Sequence, residues 1–224
     1  RLPANAHHIK PAGLLIRDVK ISLLLCPMPK EKIRCYWCLK DELYMRYHDE
    51  EWGVPVHDDQ KLFEMLNLEG AQAGLSWYTV LAKRENYRKA FDNWNAYKIA
   101  KYSPAKIEKL LLDPGIIRNR LKVEGTVKNA KAFLAIQKEF GSFDAYIWQF
   151  TSGKTIVNKI ASSKDIVAKT TLSDTMSKDL LKRGFKFVGS TICYAYMQAV
   201  GMINDHFDDC WKKQAPKRSA KKTQ

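Results

Sequence analysis

Lys182-Arg183-Gly184-Phe185-Lys186-Phe187-Val188-Gly189-Ser190-Thr191 is the stretch that decides the fold. A helical pattern from Ser173 to Lys182 runs into it, and a second, from Thr191 to about Val200, runs out of it. Between them stand basic residues, a glycine, a short turn and a second glycine. Two glycines let the backbone come close to a phosphate, and the first-turn N–H groups of the second helix point outward as donors. A helix-hairpin-helix grips DNA without reading its sequence in this way. An ordinary αα-corner with a glycine C-cap has the same pattern, and spacing alone leaves both readings open.

Working outward, the remaining signals are also helical. Asp58-Asp59 opens an apolar 3–4 pattern through Leu62, Phe63 and Leu66. Ser103-Pro104 puts a cap residue before a proline at a helix start, with Ile107, Leu110 and Leu111 behind it, and Pro114-Gly115 ends that helix. A longer pattern runs through Val123, Val127, Ala130, Phe133, Leu134 and Ile136 to Gly141. Phe143 to Phe150 reads as a short aromatic helix, and residues 151–171 are β-branched and polar without a clear period. Almost nothing alternates with period two, so the expected fold class is all-α, without internal repeats.

The 224 residues carry a net charge of +14, and 46% are hydrophobic. That charge suggests a polyanionic partner, but its distribution weakens the inference. Residues 1–34 carry +5, residues 212–224 carry +6, and the body between them only +3. The local signal is stronger. Residues 98–131 hold nine Lys/Arg against three acids, and Lys178 to Lys186 hold four against one. Such stretches either follow a phosphate backbone or form a solvated helix face. No apolar run approaches the roughly 18 residues of a membrane span, and no signal-peptide pattern is seen, so a cytoplasmic protein is expected. Residues 1–33 read as a poorly ordered extension, 34–211 as the folded domain, and 212–224 as a basic disordered tail.

Five cysteines without a signal peptide argue against a disulfide framework. Cys35 and His48 lie near the start of the domain, and His206-x3-Cys210 near its end. A His and a Cys four apart on a helix share a face, and thiolates with imidazoles favour zinc. Against this, Cys35-x12-His48 is not a standard half-finger, and Cys35 can pack as a small hydrophobe.

In Leu68-Glu69-Gly70-Ala71-Gln72-Ala73-Gly74-Leu75-Ser76-Trp77, Glu69 continues the row of Leu62 and Leu66 and therefore points inward. A buried carboxylate is costly unless it is hydrogen-bonded or functional. The small residues around it let something flat approach. Trp37, Tyr44, Tyr47, Trp52 and Trp77 make its sequence neighbourhood unusually aromatic, as a ligand pocket would be.

Residues 34–211 resemble the Tag family of 3-methyladenine DNA glycosylases I nearly end to end. The matching words are RCYWC, YHDEEWGVP, LFEMLNLEGAQAGLSW, RENYRKAF, DPGIIRNRLKV and LSDTMSKDLLKRGFKFVGSTICYAYMQAVGMINDH, followed by the closing His-x3-Cys. The resemblance implies an all-α helix-hairpin-helix fold and one structural zinc on Cys35, His48, His206 and Cys210. It implies a base pocket built from Glu69 as the catalytic carboxylate, with Tyr44, Tyr47, Trp52 and Trp77 around it. It implies DNA contacts at Gly184, Lys186 and Gly189, with Leu75 filling the gap left by an extruded base. Cys38, three residues after Cys35, offers an alternative CxxC. Asp205 stands nearest to the catalytic aspartate of other members of the superfamily, but it adjoins His206.

The implied activity is hydrolysis of the N-glycosidic bond of 3-methyladenine in double-stranded DNA by a monomer without lyase activity. Two other classes compete with it. A DNA-binding module without catalysis gives Glu69 no role, and a catalytic zinc hydrolase needs an open metal position that four protein ligands would fill. Met28 precedes a natural lead-in to the first motif, so residues 1–27 are expected to be dispensable.

Overall fold

Side-chain caps set where most of the helices begin. Asp41, Asp58, Ser76, Asn95, Ser103, Asn119, Ser142 and Thr170 each accept a hydrogen bond from a first-turn backbone N–H. Caps of this kind stabilise a helix by about 0.5–2 kcal/mol each. They open α1 (Glu42–Glu50), α2 (Asp59–Gln72), α3 (Trp77–Leu81), α5 (Ala96–Ile99), α6 (Pro104–Leu112), α7 (Arg120–Phe140), α8 (Phe143–Ile147) and α9 (Thr171–Lys182). Among the described residues, two α-helices lack such a cap, α4 (Arg84–Ala90) and α10 (Ser190–Ala199), the latter opening at Gly189.

This computed structural model describes residues 32–213. The expectations for residues 1–31, including the dispensable start before Met28, and for the tail after Lys213 lie outside the described residues. Ile33 and Lys213, just beyond the expected domain limits, are tied into the fold. The Ile33 carbonyl accepts from the Trp211 N–H, and Lys213 Nζ donates to the His206 carbonyl at 2.8 Å.

The described residues are mostly helical, as expected. The one sheet among them is a two-residue parallel pair, β1 (Ile156–Val157) beside β2 (Ile203–Asn204). β1 falls in the stretch that showed no clear period. The aromatic helix ends at Ile147 and continues as a 3-10 turn over Trp148–Thr151. The helix before the hairpin starts at Thr171, because Thr170 and Ser173 form a reciprocal capping box. Sequence periodicity did not single out helices α1, α3, α4 and α5, which are nine residues or shorter.

Helix α2 is the axis of the fold and packs against α3, α7, α8 and α10. Every residue from Leu62 to Ala71 is buried. A helix buried all round must satisfy its polar side chains internally. Glu64 is held by Arg84 and Arg88, each at 2.8 Å. Asn67 donates to the Phe63 carbonyl and accepts from Asn129 at 3.0 Å. Glu69, the third polar group, is left with one unsatisfied oxygen, and the candidate site lies there.

Candidate active site and metal centre

Glu69 is 3% exposed, and its Oε2 has no hydrogen-bond partner. Burial alone pushes its pKa up to about 8. It lines a cleft of about 180 Å³ together with Trp37, Tyr44, Tyr47, Trp52 and Trp77. The rings pack on one another, Trp37 against Tyr44 at 5.0 Å between centroids, Trp37 against Trp52 at 4.9 Å and Tyr47 against Trp77 at 5.4 Å. The indole Nε1 of Trp77 is also buried without a partner. Burial raises the Tyr44 pKa to about 12, with nearby Glu69 adding to the shift, so the Tyr44 hydroxyl stays protonated. The fold thus brings together all five expected pocket residues. It adds Trp37, Gln72, Ala195 and Gln198, of which only Trp37 belongs to the aromatic neighbourhood legible in the sequence. The other three are common residue types, and Ala195 and Gln198 lie more than 120 positions from Glu69 in the chain. No local signal marks them.

The small residues beside Glu69 do not all serve the cleft. A side chain at Gly70 would meet Cβ of Phe187 at 3.1 Å and its carbonyl at 3.3 Å, and one at Gly125 on α7 would meet the Phe187 ring at 3.1 Å. Gly70 and Gly125 therefore admit the hairpin residue Phe187, which sits in the left-handed region at φ 56°. Gly74, at φ 78°, turns the chain out of α2, and Leu75 follows it at 41% exposure.

In the hairpin itself, Phe185 and Val188 are fully buried while Gly184, Lys186 and Gly189 are exposed. A Cβ at Gly184 or Gly189 would touch nothing within 4 Å, so the backbone is open to approach there. Gly184 takes φ 95°, which glycine adopts without strain. The neighbouring charges are less free than their count suggested. Arg183 is bound to Glu139 and Asp179, Arg120 to Glu108, and Lys122 Nζ caps the end of α2 on the Ala71 and Ala73 carbonyls at 2.8 and 2.7 Å.

Cys35, His48, His206 and Cys210 converge from both ends of the described chain, and all four are buried. His206 Nδ1 lies 3.2 Å from His48 Nε2, and the thiols of Cys35 and Cys210 lie 3.5 Å from His206 Nδ1. Cys210 Sγ is 3.4 Å from His48 Nε2. A tetrahedral ion with bonds of about 2.3 Å to sulfur and 2.0 Å to nitrogen holds its ligand atoms about 3.3–3.8 Å apart, so the donor set fits a metal ion. The far nitrogens are engaged as well. His48 Nδ1 meets Asp49 at 2.8 Å, and His206 Nε2 meets the Trp52 carbonyl at 3.2 Å, which fixes which nitrogen faces inward. The hydrogen bond from the Cys35 thiol, followed by those from the two imidazoles, holds Cys210 low, as a thiolate. Cys38 stands outside the cluster, its thiol donating to the Cys35 carbonyl at 3.0 Å. One expectation is corrected. His206 and Cys210 do not lie on a helix, because the chain leaves β2 extended and Cys210 N–H closes a tight turn on the Phe207 carbonyl. Trp52 joins the two sites, its ring 4.6 Å from that of His206 while it also walls the cleft.

Asp205 is buried and fully engaged. It accepts from the Tyr194 hydroxyl at 2.6 Å, Gln198 Nε2 at 2.7 Å and Asn158 Nδ2 at 2.8 Å.

In chemical terms, an aromatic cleft around an unpartnered carboxyl group suits a flat ligand that donates hydrogen bonds. Comparison with known proteins agrees. Residues 37–213 match the methyladenine glycosylase family. The chain is 49% identical over 177 residues to the DNA-3-methyladenine glycosylase of Haemophilus influenzae, covering 79% of this chain and 96% of that protein. A crystal structure of 3-methyladenine DNA glycosylase I superposes with a TM-score of 0.78 at 49% identity, over 80% of this chain and 98% of that one. A point variant of 3-methyladenine DNA glycosylase I in complex with 3-methyladenine gives a TM-score of 0.79 at 34% identity, over 81% and 98%. The chain belongs to the methyladenine glycosylase family. Its activity is that of a DNA-3-methyladenine glycosylase, an N-glycosyl hydrolase of alkylation repair.

Proposed function

We propose that the cleft around Glu69 receives 3-methyladenine extruded from double-stranded DNA, and that water then cleaves its N-glycosidic bond. The observation that carries this is the buried, unpartnered Glu69 Oε2 in a ring of aromatic side chains. An N3-methylated adenine nucleotide is a flat cation with an exocyclic amine. The cation, once seated, pulls the Glu69 pKa down from about 8, so Glu69 meets it as a carboxylate. That carboxylate accepts from the amine and favours the positive charge, and the faces of Tyr44, Tyr47, Trp52 and Trp77 add cation–π attraction of about 2 kcal/mol each when desolvated. The glycosidic bond of such a cation is already weak, so no strong acid is needed. Unmodified bases lack the charge and stay stacked in the duplex.

The helix-hairpin-helix grips the phosphate backbone through the open backbone at Gly184 and Gly189 and through Lys186, while Leu75 enters the duplex where the base has left. These assignments rest on the exposure of the four residues and on the uncapped N-terminus of α10. Cys35, His48, His206 and Cys210 hold one structural Zn²⁺, which supplies a cross-link between the ends of the domain and takes no part in the chemistry. The enzyme acts as a monomer, with residues 34–211 as its glycosylase domain and Ile33 and Lys213 bonded onto its ends. Release of free bases from methylated duplex DNA tests the proposal. Wild type should liberate 3-methyladenine, and Glu69→Gln should do so far more slowly while remaining folded; full activity in Glu69→Gln would overturn the pocket.

A further inference from the structure

We propose that Gln198 positions the water that attacks the sugar, with Asp205 fixing the orientation of its amide. The inference rests on the reading of the Glu69 cleft as the base pocket. The floor of that cleft is Glu69 and Tyr47, both 3% exposed. Gln198 is half-buried and belongs to the rim, one helical turn beyond Ala195 on α10. A base seated on Glu69 places its glycosidic nitrogen, and hence the sugar carbon, at the rim rather than the floor.

The orientation of Gln198 follows from hydrogen-bond chemistry. Gln198 Nε2 donates to Asp205 at 2.7 Å, so the NH₂ end of the amide faces Asp205. The amide oxygen is thereby turned away from Asp205, and in this proposal it faces the cleft that Gln198 lines. Asp205 cannot swing away freely, because Tyr194 and Asn158 hold it from two other directions. A fixed, neutral acceptor thus stands where a nucleophile must approach. Gln72, the other rim amide, shows no such anchor among the described residues. Gln198 lies on α10, whose N-cap is Gly189, so one helix carries both the proposed phosphate grip and the proposed water site.

In the step itself, the water oxygen forms a bond to C1′ of the deoxyribose as the C1′–N bond to the base breaks. The bonding electron pair leaves with the base, which departs as neutral 3-methyladenine. Gln198 Oε1 accepts a hydrogen bond from the attacking water and aligns its lone pair. An amide does not take up the proton, which passes to solvent at the rim. Positioning lowers the entropic cost of the encounter and favours water over larger nucleophiles.

The test compares wild type with Gln198→Met, which keeps the side-chain length, on methylated duplex DNA under single-turnover conditions with and without methanol. Binding of free 3-methyladenine is followed by tryptophan fluorescence. Gln198→Met should slow release by at least about tenfold, bind the free base like wild type, and raise the share of 1′-O-methyl product towards the methanol-to-water ratio of the solution. A shorter amide, Gln198→Asn, should shift the product ratio in the same direction and serves if the methionine variant does not fold. An unchanged product ratio in the folded variants overturns the proposal, as does a loss of base affinity that matches the loss of rate. Wild type that fails to bind free 3-methyladenine, or Glu69→Gln that binds it equally well, instead defeats the pocket reading.

Discussion

Asn129 on α7 holds both backbone polar groups of Lys186 in the hairpin. Its Oδ1 accepts from the Lys186 N–H at 2.7 Å, and its Nδ2 donates to the Lys186 carbonyl at 3.2 Å. The same Nδ2 reaches Asn67 on α2 at 3.0 Å. The hairpin is therefore set by a buried amide 57 residues earlier in the chain. Asn129→Ala strips partners from Lys186 and Asn67 and should destabilise the fold by about 1–3 kcal/mol. It should weaken binding to damaged and undamaged duplex alike and leave the affinity for free 3-methyladenine unchanged. Titration of both DNAs and of the free base checks this, and a loss confined to damaged DNA would contradict it.

Glu69 sets a pH dependence of stability whose sign follows from its burial. Its folded pKa of about 8 lies above the ordinary value of 4.5, so between those limits the native state binds more protons than the unfolded state. Stability from this group therefore falls as pH rises through that window. Glu69→Gln removes the effect. Its melting temperature should match wild type near pH 5 and exceed it at pH 8–9, where the stability difference is on the order of a few kcal/mol. Thermal denaturation at both pH values is the measurement. Loss of activity with a gain in stability is the expected signature of a functional buried carboxylate.

Metal removal should act on the fold before it acts on the chemistry. With Cys35, His48, His206 and Cys210 all buried, an ion among them ties residues 35–48 to residues 206–210. Loop closure of that length and the binding free energy both favour the native state. Cys210→Ser, or exhaustive chelation, should lower the melting temperature and the metal content together, while any protein still folded releases base at a nearly normal rate. Elemental analysis finding no stoichiometric zinc in active protein would refute the assignment.

Selectivity should follow hydrogen-bond pattern rather than charge. Glu69 accepts, and the N6 amine of adenine donates. A 7-methylguanine is equally cationic but presents an O6 acceptor there, and two facing acceptors cost about 1–3 kcal/mol or more. Release of 3-methyladenine should far exceed that of 7-methylguanine from the same methylated DNA. Trp77→Ala should weaken binding of the base. Chromatography of the freed bases decides, and comparable yields would count against the pocket.

A chain beginning at Met28 should fold and release base like the full chain. The contact of Ile33 with Trp211 lies within it, so the described fold is retained. Denaturation and base-release assays on the two chains compare them directly.

Caps, breakers and apolar spacing are local properties, and they suffice for α2, α6, α7 and the two hairpin helices. The inward direction of Glu69 was also written locally, as the continuation of the row Leu62–Leu66. So was the aromatic excess around it. The metal ligands were legible only as two separate pairs plus a family resemblance, because four side chains drawn from positions 35 to 210 have no common local pattern. Tertiary structure alone decided that Cys38 turns to the Cys35 carbonyl while His48 joins the cluster, and that Gly70 and Gly125 make room for Phe187. It alone decided that Lys122 caps α2 on two backbone carbonyls. Asn129, Gln198 and Asp205 belong to the same category. Each is an ordinary polar residue whose role comes from a partner distant in sequence or from a cleft assembled by several elements. Sequence periodicity reports which way a residue faces along its own helix, whereas a hydrogen bond between helices depends on how those helices pack against one another.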